Sequence, residues 1–324
     1  MSGIEVDSLH APQWRELRAA LASPRMHHAW ILAGRRGLGK HDFALAAARE
    51  IVALGRDGPV GDNDPDIHLL THLPKDDKEA KKAEKGEAFE TKRNIAIEQV
   101  RNMQARLNTR PTLGERRAII INPADDLERN AANALLKSLE EPPRGTFFLL
   151  VTHRPGLLLP TIRSRARILR FNPLPAGVVE EALRAENDIA GAAEIALAAR
   201  ASGGAPGAGL AFLAQELAPA EALMRQIVAQ GDPDFVLRGK LGEEIGARPD
   251  RARLAATLDL ARTVLAQRLE DPEDMHIPSL VDAHARLVTI AGQAKSYNFD
   301  PGFLAMEIGT LLASATPHRS RADA

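Results

Sequence analysis

The 324-residue chain contains no cysteine, which excludes disulfide bridges and thiolate-held metal. Aromatic residues are scarce, at 4%, and alanine and leucine dominate many stretches, a mixture that favours helix over sheet. Neither sign of charge prevails. The 42 Lys and Arg against 43 Asp and Glu leave a formal net charge of −1, so the chain does not bind nucleic acid by bulk electrostatics, and any such contact is local or shared with partner chains. No run of 18 apolar residues occurs, and MSGIEVDSLHAPQWREL lacks the basic-then-apolar order of a signal peptide. A soluble cytoplasmic protein is the expectation. Apolar residues at 44% and charged residues at 26% fit an ordinary globular protein long enough for two or three domains.

What is present alternates between strand and helix. HAPQWRELRAAL places Pro12 at a first helical position and Trp14, Leu17 and Leu21 on one face. AWILAG (29–34) reads as a buried strand, and DFALAAAREIVAL as the helix after it. Residues 75–93, KDDKEAKKAEKGEAFETKR, carry both signs of charge and are expected as a solvated loop or exposed helix. IEQVRNMQARL sets Ile97, Val100, Met103 and Leu107 at helical spacing. AIIIN (118–122) and FFLLVT (147–152) are apolar throughout, as strands covered on both faces of a parallel sheet should be. Between them NAANALLKSLEEPP reads as a helix stopped by Pro142 and Pro143, and RILRF (167–171) as a further strand.

Residues 1–171 therefore read as an α/β domain with a parallel sheet. Beyond NPLP only helical patterns follow, and ASGGAPGAG (201–209) is expected as a loop between two of them. Leu254, Leu258, Ala261 and Leu265 mark one apolar stripe, Leu280, Leu287 and Ala291 another, and Leu304, Ile308 and Leu311 a third. The C-terminal half reads as a helical bundle, with HRSRADA frayed at its end.

GRRGLGKH (34–41) carries the chemistry worth weighing. Gly34, Gly39 and Lys40 match the phosphate-binding pattern G-x-x-x-x-G-K-[ST] in its strand-to-helix context. The magnesium-binding hydroxyl is replaced by His41. Lys40 retains the ability to hold an anion at the helix N-terminus, and the other reading is a glycine turn of no chemical use. An ATPase also needs a carboxylate at a strand end and a second acid to orient water. Here AIIIN ends in Asn122-Pro123, and Asp125 and Asp126, a turn later, are expected to point elsewhere. His68 and His72 have a spacing that binds metal from a helix, but with no further ligands in view they read as ordinary histidines and no metal is expected. Arg163, Arg165, Arg167 and Arg170 form either a solvated basic edge or a functional cluster; the first three would share one side if the segment were extended.

NALLKSLEEPPRGTFFLLVT followed by LLPTIRSRARILRF, with HHAWILAGRRGLGK and the DPD at 64–66, resembles the clamp-loader branch of the AAA+ family. Within it, the strings resemble the delta-prime subunits of bacterial DNA polymerase III over residues 9–171. The resemblance implies a P-loop domain (1–171), a small helical lid (172–216) and an all-helical collar (217–324) that joins subunits in a ring. It implies ATP bound by partner subunits at interfaces, with Arg165 of the Ser164-Arg165-Ala166 motif as a finger supplied in trans. Thr152 falls on the sensor-1 position, and Ala208 on a position where the family carries a sensor-2 arginine.

Delta-prime members often bind zinc through four cysteines, and this chain, with none, should bind none. The implied partners are the gamma/tau and delta subunits and, through the complex, the sliding clamp and primed DNA. The implied role is a subunit that needs no cofactor and hydrolyses nothing itself. The alternatives are a hydrolysing gamma/tau-type ATPase, against which His41, Asn122, Pro123 and Ala208 speak, and a P-loop phosphotransferase, which would need an intact magnesium site. A stand-alone DNA-binding scaffold is disfavoured by the near-neutral charge.

Overall fold

Strands that bury both faces cannot alternate apolar with polar residues, and the three unalternating runs form the centre of a five-stranded parallel sheet. The computed structural model describes residues 9–23, 26–61, 63–269, 277–294 and 299–316. It consists of two compact units, Met1–Asn172 and Pro173–Ala324. In the first, the strands are β1 (Ala29–Ala33), β2 (Ile67–Leu70), β3 (Arg117–Ile121), β4 (Thr146–Thr152) and β5 (Arg167–Arg170), in the spatial order β2-β3-β4-β1-β5. Every residue of β1 and β3 is buried. Ala33 pairs with Thr152 on one side and Arg170 on the other, so β1, β4 and β5 end level.

Helices α1 (Ala11–Leu21) and α2 (Lys40–Ala53) bring the scarce aromatics together. Trp14 lies 4.3 Å from Phe43, and Phe43 lies 5.0 Å from Phe171, centroid to centroid. This cluster packs at the end of the sheet where the glycine loop emerges. Asp66, buried at the entry to β2, accepts the N–H groups of Thr112 at 2.6 Å and Leu113 at 2.8 Å, while Asp64 pairs with Arg56. The DPD string thus ties the loop before β3 to the sheet.

The charged segment 75–93 contains helix α3 (Asp77–Glu84), capped by Asp76, whose carboxylate accepts the Glu79 N–H at 3.0 Å. Most of the segment is exposed, but Glu79 is buried. Its carboxylate accepts from Lys82 at 2.8 Å and from the Glu90 N–H at 2.7 Å, and an antiparallel bridge joins Pro74 to Thr91. Charge pattern shows a solvated face here; it does not show that one acid folds inward to hold the segment's return. Helices α4 (Ile97–Leu107), α5 (Arg129–Glu140) and the short α6 (Pro160–Arg163) complete the unit.

The second unit contains helices α7 (Ala176–Glu186), α8 (Ala192–Ala201), α9 (Pro206–Ala214), α10 (Ala218–Gln230), α11 (Val236–Ile245), α12 (Arg251–Arg268), α13 (Ile277–Gln293) and α14 (Pro301–Ala313). Leu258, Ala261, Leu265, Leu280, Leu287, Leu304 and Ile308 are buried in one core, with Leu254, Ala291 and Leu311 packed at its margin. Val179, Leu183, Ile195 and Phe212 belong to the same core. The boundary expected at 216/217 therefore runs through a continuous apolar interior, which the described helices on both sides of it share. The expected loop 201–209 is shorter than its glycines suggest. Pro206 already opens α9, where its missing N–H removes no helical bond. Gly209 lies inside that helix because a Cβ there would meet both Leu183 methyls at 3.0 Å. The terminal HRSRADA lies outside the described residues.

Candidate functional site

The loop after β1 keeps phosphate-loop geometry for reasons internal to the chain. Gly37 and Gly39 adopt left-handed φ values of 82° and 73°, and Gly39 caps α2. Gly34 donates to the Thr152 carbonyl at 3.3 Å, and a Cβ on Gly34 would meet the Phe171 carbonyl oxygen at 2.5 Å. Phe171, the residue after β5, thus demands this glycine whether or not a phosphate is ever bound.

Lys40 is buried, and its ammonium donates to the Gly34 carbonyl at 2.7 Å and to the Arg35 carbonyl. The loop closes on its own lysine. Burial lowers the Lys40 pKa from 10.5 to about 8, against an opposing pull from the Asp125 carboxylate. To reach a phosphate, Lys40 would have to release both carbonyls.

The two positions that would hold magnesium are bonded to each other. Asn122 Nδ2 lies 3.0 Å from His41 Nδ1. An amide nitrogen only donates, so His41 Nδ1 accepts and the ring proton sits on Nε2. Of the two acids beyond β3, Asp125 acts on the charge of Lys40, and both are engaged by groups of the chain itself. Asp125 accepts the His153 N–H at 3.0 and 3.2 Å with its two oxygens, and Asp126 faces His72 at 3.2 Å. Thr152 is fully buried, and its hydroxyl accepts the Arg154 N–H at 3.2 Å. Ala208 lies near the start of α9 and carries no charge.

His10 is a residue that sequence patterning did not single out. It is buried, its Nε2 lies 2.6 Å from the Leu38 carbonyl, and its ring meets Phe171 edge-on at 4.8 Å. It pins the glycine loop from outside the helix it precedes, and burial lowers its pKa. A lone histidine before an N-terminal helix carries no periodic signal that would have revealed this.

The arginines separate. The segment is not extended: α6 is helical through Arg163, and Ser164 continues in helical conformation, so alternation does not apply. Arg163 is exposed. Arg167 pairs with Glu16 at 2.8 Å and lies 5.0 Å over the Trp30 ring, and the Arg170 carbonyl accepts from Gln13. Arg165 is held differently. Its Nη1 donates to the Thr161 carbonyl at 3.0 Å and to Ser164 Oγ at 3.3 Å, and its Nη2 pairs with Glu140 at 2.8 Å. Its side chain remains 35% exposed. The histidine pair also separates: His68 lies in β2 and His72 beyond its end, so they share no helical face. Among the described residues no group of three His, Asp or Glu could hold a metal.

A parallel sheet in this order, a glycine loop from β1 into a helix and a following all-helical unit define a P-loop domain of the AAA+ class. Its magnesium-binding positions carry His41 and Asn122. The family model for DNA polymerase III, delta subunit, matches residues 9–175. The DNA polymerase III subunit delta' of Escherichia coli (strain K12) is 31% identical over 262 residues, covering 76% of this chain and 73% of that protein. The chain belongs to this family. The subunit delta' of Bacillus subtilis (strain 168) is 31% identical over 190 residues, 55% of this chain, and the matched span covers about half, 52%, of that relative's length. A gamma subunit-related protein of Thermotoga maritima superposes with a TM-score of 0.42 at 18% identity, covering 94% of this chain and 99% of that one.

Proposed function

We propose that this chain is a non-hydrolysing, delta-prime-type subunit of the clamp loader in the bacterial replicative DNA polymerase III holoenzyme. The likeness to proteins named DNA polymerase III subunit delta' supports the assembly. The observation that carries the non-hydrolysing role is the His41–Asn122 hydrogen bond, which joins side chains at the two magnesium positions. A metal ion there would find one imidazole and one amide in place of a hydroxyl and a carboxylate. In this reading the helical unit supplies lid and collar surfaces that hold gamma/tau and delta subunits, and the complex opens and loads the sliding clamp on primed DNA. ATP is bound by partner subunits, and this chain needs no cofactor. A cytoplasmic location accompanies that role; no described helix is long and apolar enough to cross a membrane.

Arg165 is the residue through which the chain acts on its neighbour. A planar, permanently charged guanidinium stabilises charge on a departing phosphoryl group better than a flexible ammonium. The test is turnover by the reconstituted complex with clamp and primed DNA. Arg165→Ala should leave assembly intact and lower stimulated ATP hydrolysis and clamp loading, whereas Arg163→Ala and Arg167→Ala should do less. A trans finger removed from a single-site system costs on the order of 10³ to 10⁵ in rate. With several sites in the ring, total turnover should fall much less. Clamp loading at the wild-type rate by Arg165→Ala would assign the arginine to a solvated edge.

A further inference from the structure

Glu140 is the last residue of α5, and its charge is in an unfavourable place for a helix. The C-terminal carbonyls form the negative end of the helix dipole, where an acid destabilises and a base stabilises. Glu128 caps the start of α5 and Lys137 lies in its last turn, as the dipole favours, but Glu140 closes the helix at the unfavourable end. The cation that meets Glu140 is Arg165, at 2.8 Å. Helices α5 and α6 pack against each other, so a residue of the NALLKSLEEPP string is brought to the Ser164-Arg165 motif 25 positions later.

A half-exposed arginine ordinarily samples many rotamers, and ordering it costs conformational entropy. Arg165 is instead bound from two sides, by Thr161 and Ser164 at Nη1 and by Glu140 at Nη2. These three bonds leave two of its five N–H groups without a partner among the described residues. Of the three acceptors, only Glu140 comes from another element and carries charge. It therefore decides which way the guanidinium plane faces.

We infer that Glu140 is a positioning residue: it holds Arg165 in a preset orientation from which the remaining N–H groups engage an anionic phosphoryl group on an adjacent subunit. This rests on the reading of Arg165 as a finger supplied in trans. Preorganisation of a donor before the transition state removes the ordering cost from the reaction step. Loss of Glu140 should accordingly lower kcat of the complex and leave KM for ATP nearly unchanged.

The experiment compares Glu140→Ala, Glu140→Gln, Arg165→Ala and the double variant Glu140→Ala/Arg165→Ala in the reconstituted complex, with Glu141→Ala as the neighbouring control. Assembly is checked by size-exclusion chromatography, and ATP turnover is measured with clamp and primed DNA. Glu140→Ala should give roughly half or more of the Arg165→Ala loss on a logarithmic scale, and the double variant should match Arg165→Ala within about twofold. Glu140→Gln, isosteric and neutral, should fall between wild type and Glu140→Ala, and serves in its place if Glu140→Ala does not assemble. Glu141→Ala should turn over at the wild-type rate. Wild-type turnover by both Glu140 variants beside a slow Arg165→Ala complex overturns the positioning role and spares the finger. A double variant much slower than Arg165→Ala also overturns it, because Glu140 would then act by a separate route. Wild-type turnover by Arg165→Ala removes the finger, and the role of Glu140 with it.

Discussion

Asn122 donates from Nδ2 to His41 Nδ1 at 3.0 Å, across 81 positions of sequence. Each residue alone reads as the loss of one magnesium ligand. Together they form a hydrogen-bonded pair at the end of β3 and the start of α2. Restoring one partner alone should achieve little, because the other stays unsuited to magnesium. The double change His41→Thr/Asn122→Asp should give magnesium-dependent ATP binding stronger than that of the unaltered chain. Turnover should remain at background, since Pro123 supplies no acid to orient water. Fluorescent ATP-analogue titration with and without magnesium measures the first outcome, and phosphate release the second. Hydrolysis by the unaltered chain that disappears in Lys40→Ala would contradict the non-hydrolysing role.

Lys40 makes stability of the first unit depend on pH in a calculable direction. Its pKa is about 8 folded against an ordinary 10.5. The unfolded chain binds this proton more tightly, so stability rises with pH between about 8 and 10.5 and the charged form is a liability below that window. Trp14 and Trp30, the only tryptophans, both lie buried in the first unit and report its unfolding. Urea denaturation of the wild type should gain about 2 kcal/mol on Lys40→Met between pH 7 and pH 9.5. A pH-independent difference between the two proteins would show that Lys40 keeps its ordinary affinity for the proton.

Gly145 leads into β4 with φ of 76°, and its carbonyl accepts the Arg117 N–H at 2.8 Å. A Cβ there would meet the Glu115 carbonyl oxygen at 2.1 Å, a backbone atom that cannot rotate away. Gly145→Ala should destabilise the first unit by about 3 kcal/mol or more, from left-handed strain together with the displaced β3–β4 pairing. Tryptophan fluorescence in urea checks it. Gly156→Ala, where a Cβ meets nothing, is the control and should change little.

The shared core of the helical unit sets where the chain can be cut. A fragment of residues 173–324 retains Val179, Leu183, Ile195 and Phe212 with the later helices, and should show cooperative thermal unfolding by circular dichroism. A fragment of residues 217–324 loses those partners and exposes the faces of Met224, Leu258 and Leu265 that belong to the same core. It should unfold at lower temperature or aggregate. Equal, cooperative melting of both fragments would show that lid and collar are separate folding units.

Strand and helix order in the first unit was legible because burial leaves a periodic trace. Strands covered on both faces are apolar throughout, and Ala29–Ala33, Arg117–Ile121 and Thr146–Thr152 are such runs apart from their ends. Glycines are less legible. Those at 201–209 suggested a loop, yet Gly209 is helical because Leu183 needs the space, and Gly34 answers to the Phe171 carbonyl as much as to any phosphate pattern. A glycine in sequence announces that a side chain is unwelcome and leaves the neighbour unnamed.

The class of the first unit and the missing hydroxyl and carboxylate at His41 and Asn122 can be read from the chain alone, because each depends on local spacing. So can the near-neutral charge and the lack of thiol chemistry, which are sums over the chain. It takes the folded chain to show that Lys40 binds its own loop, that His41 and Asn122 bond to each other, that His10 pins the loop through Leu38, and that Glu140 meets Arg165. These are contacts between groups 5 to 81 positions apart. Periodicity records which face of an element is buried; hydrogen bonds and ion pairs depend on distances of about 3 Å, which exist only once the elements have packed.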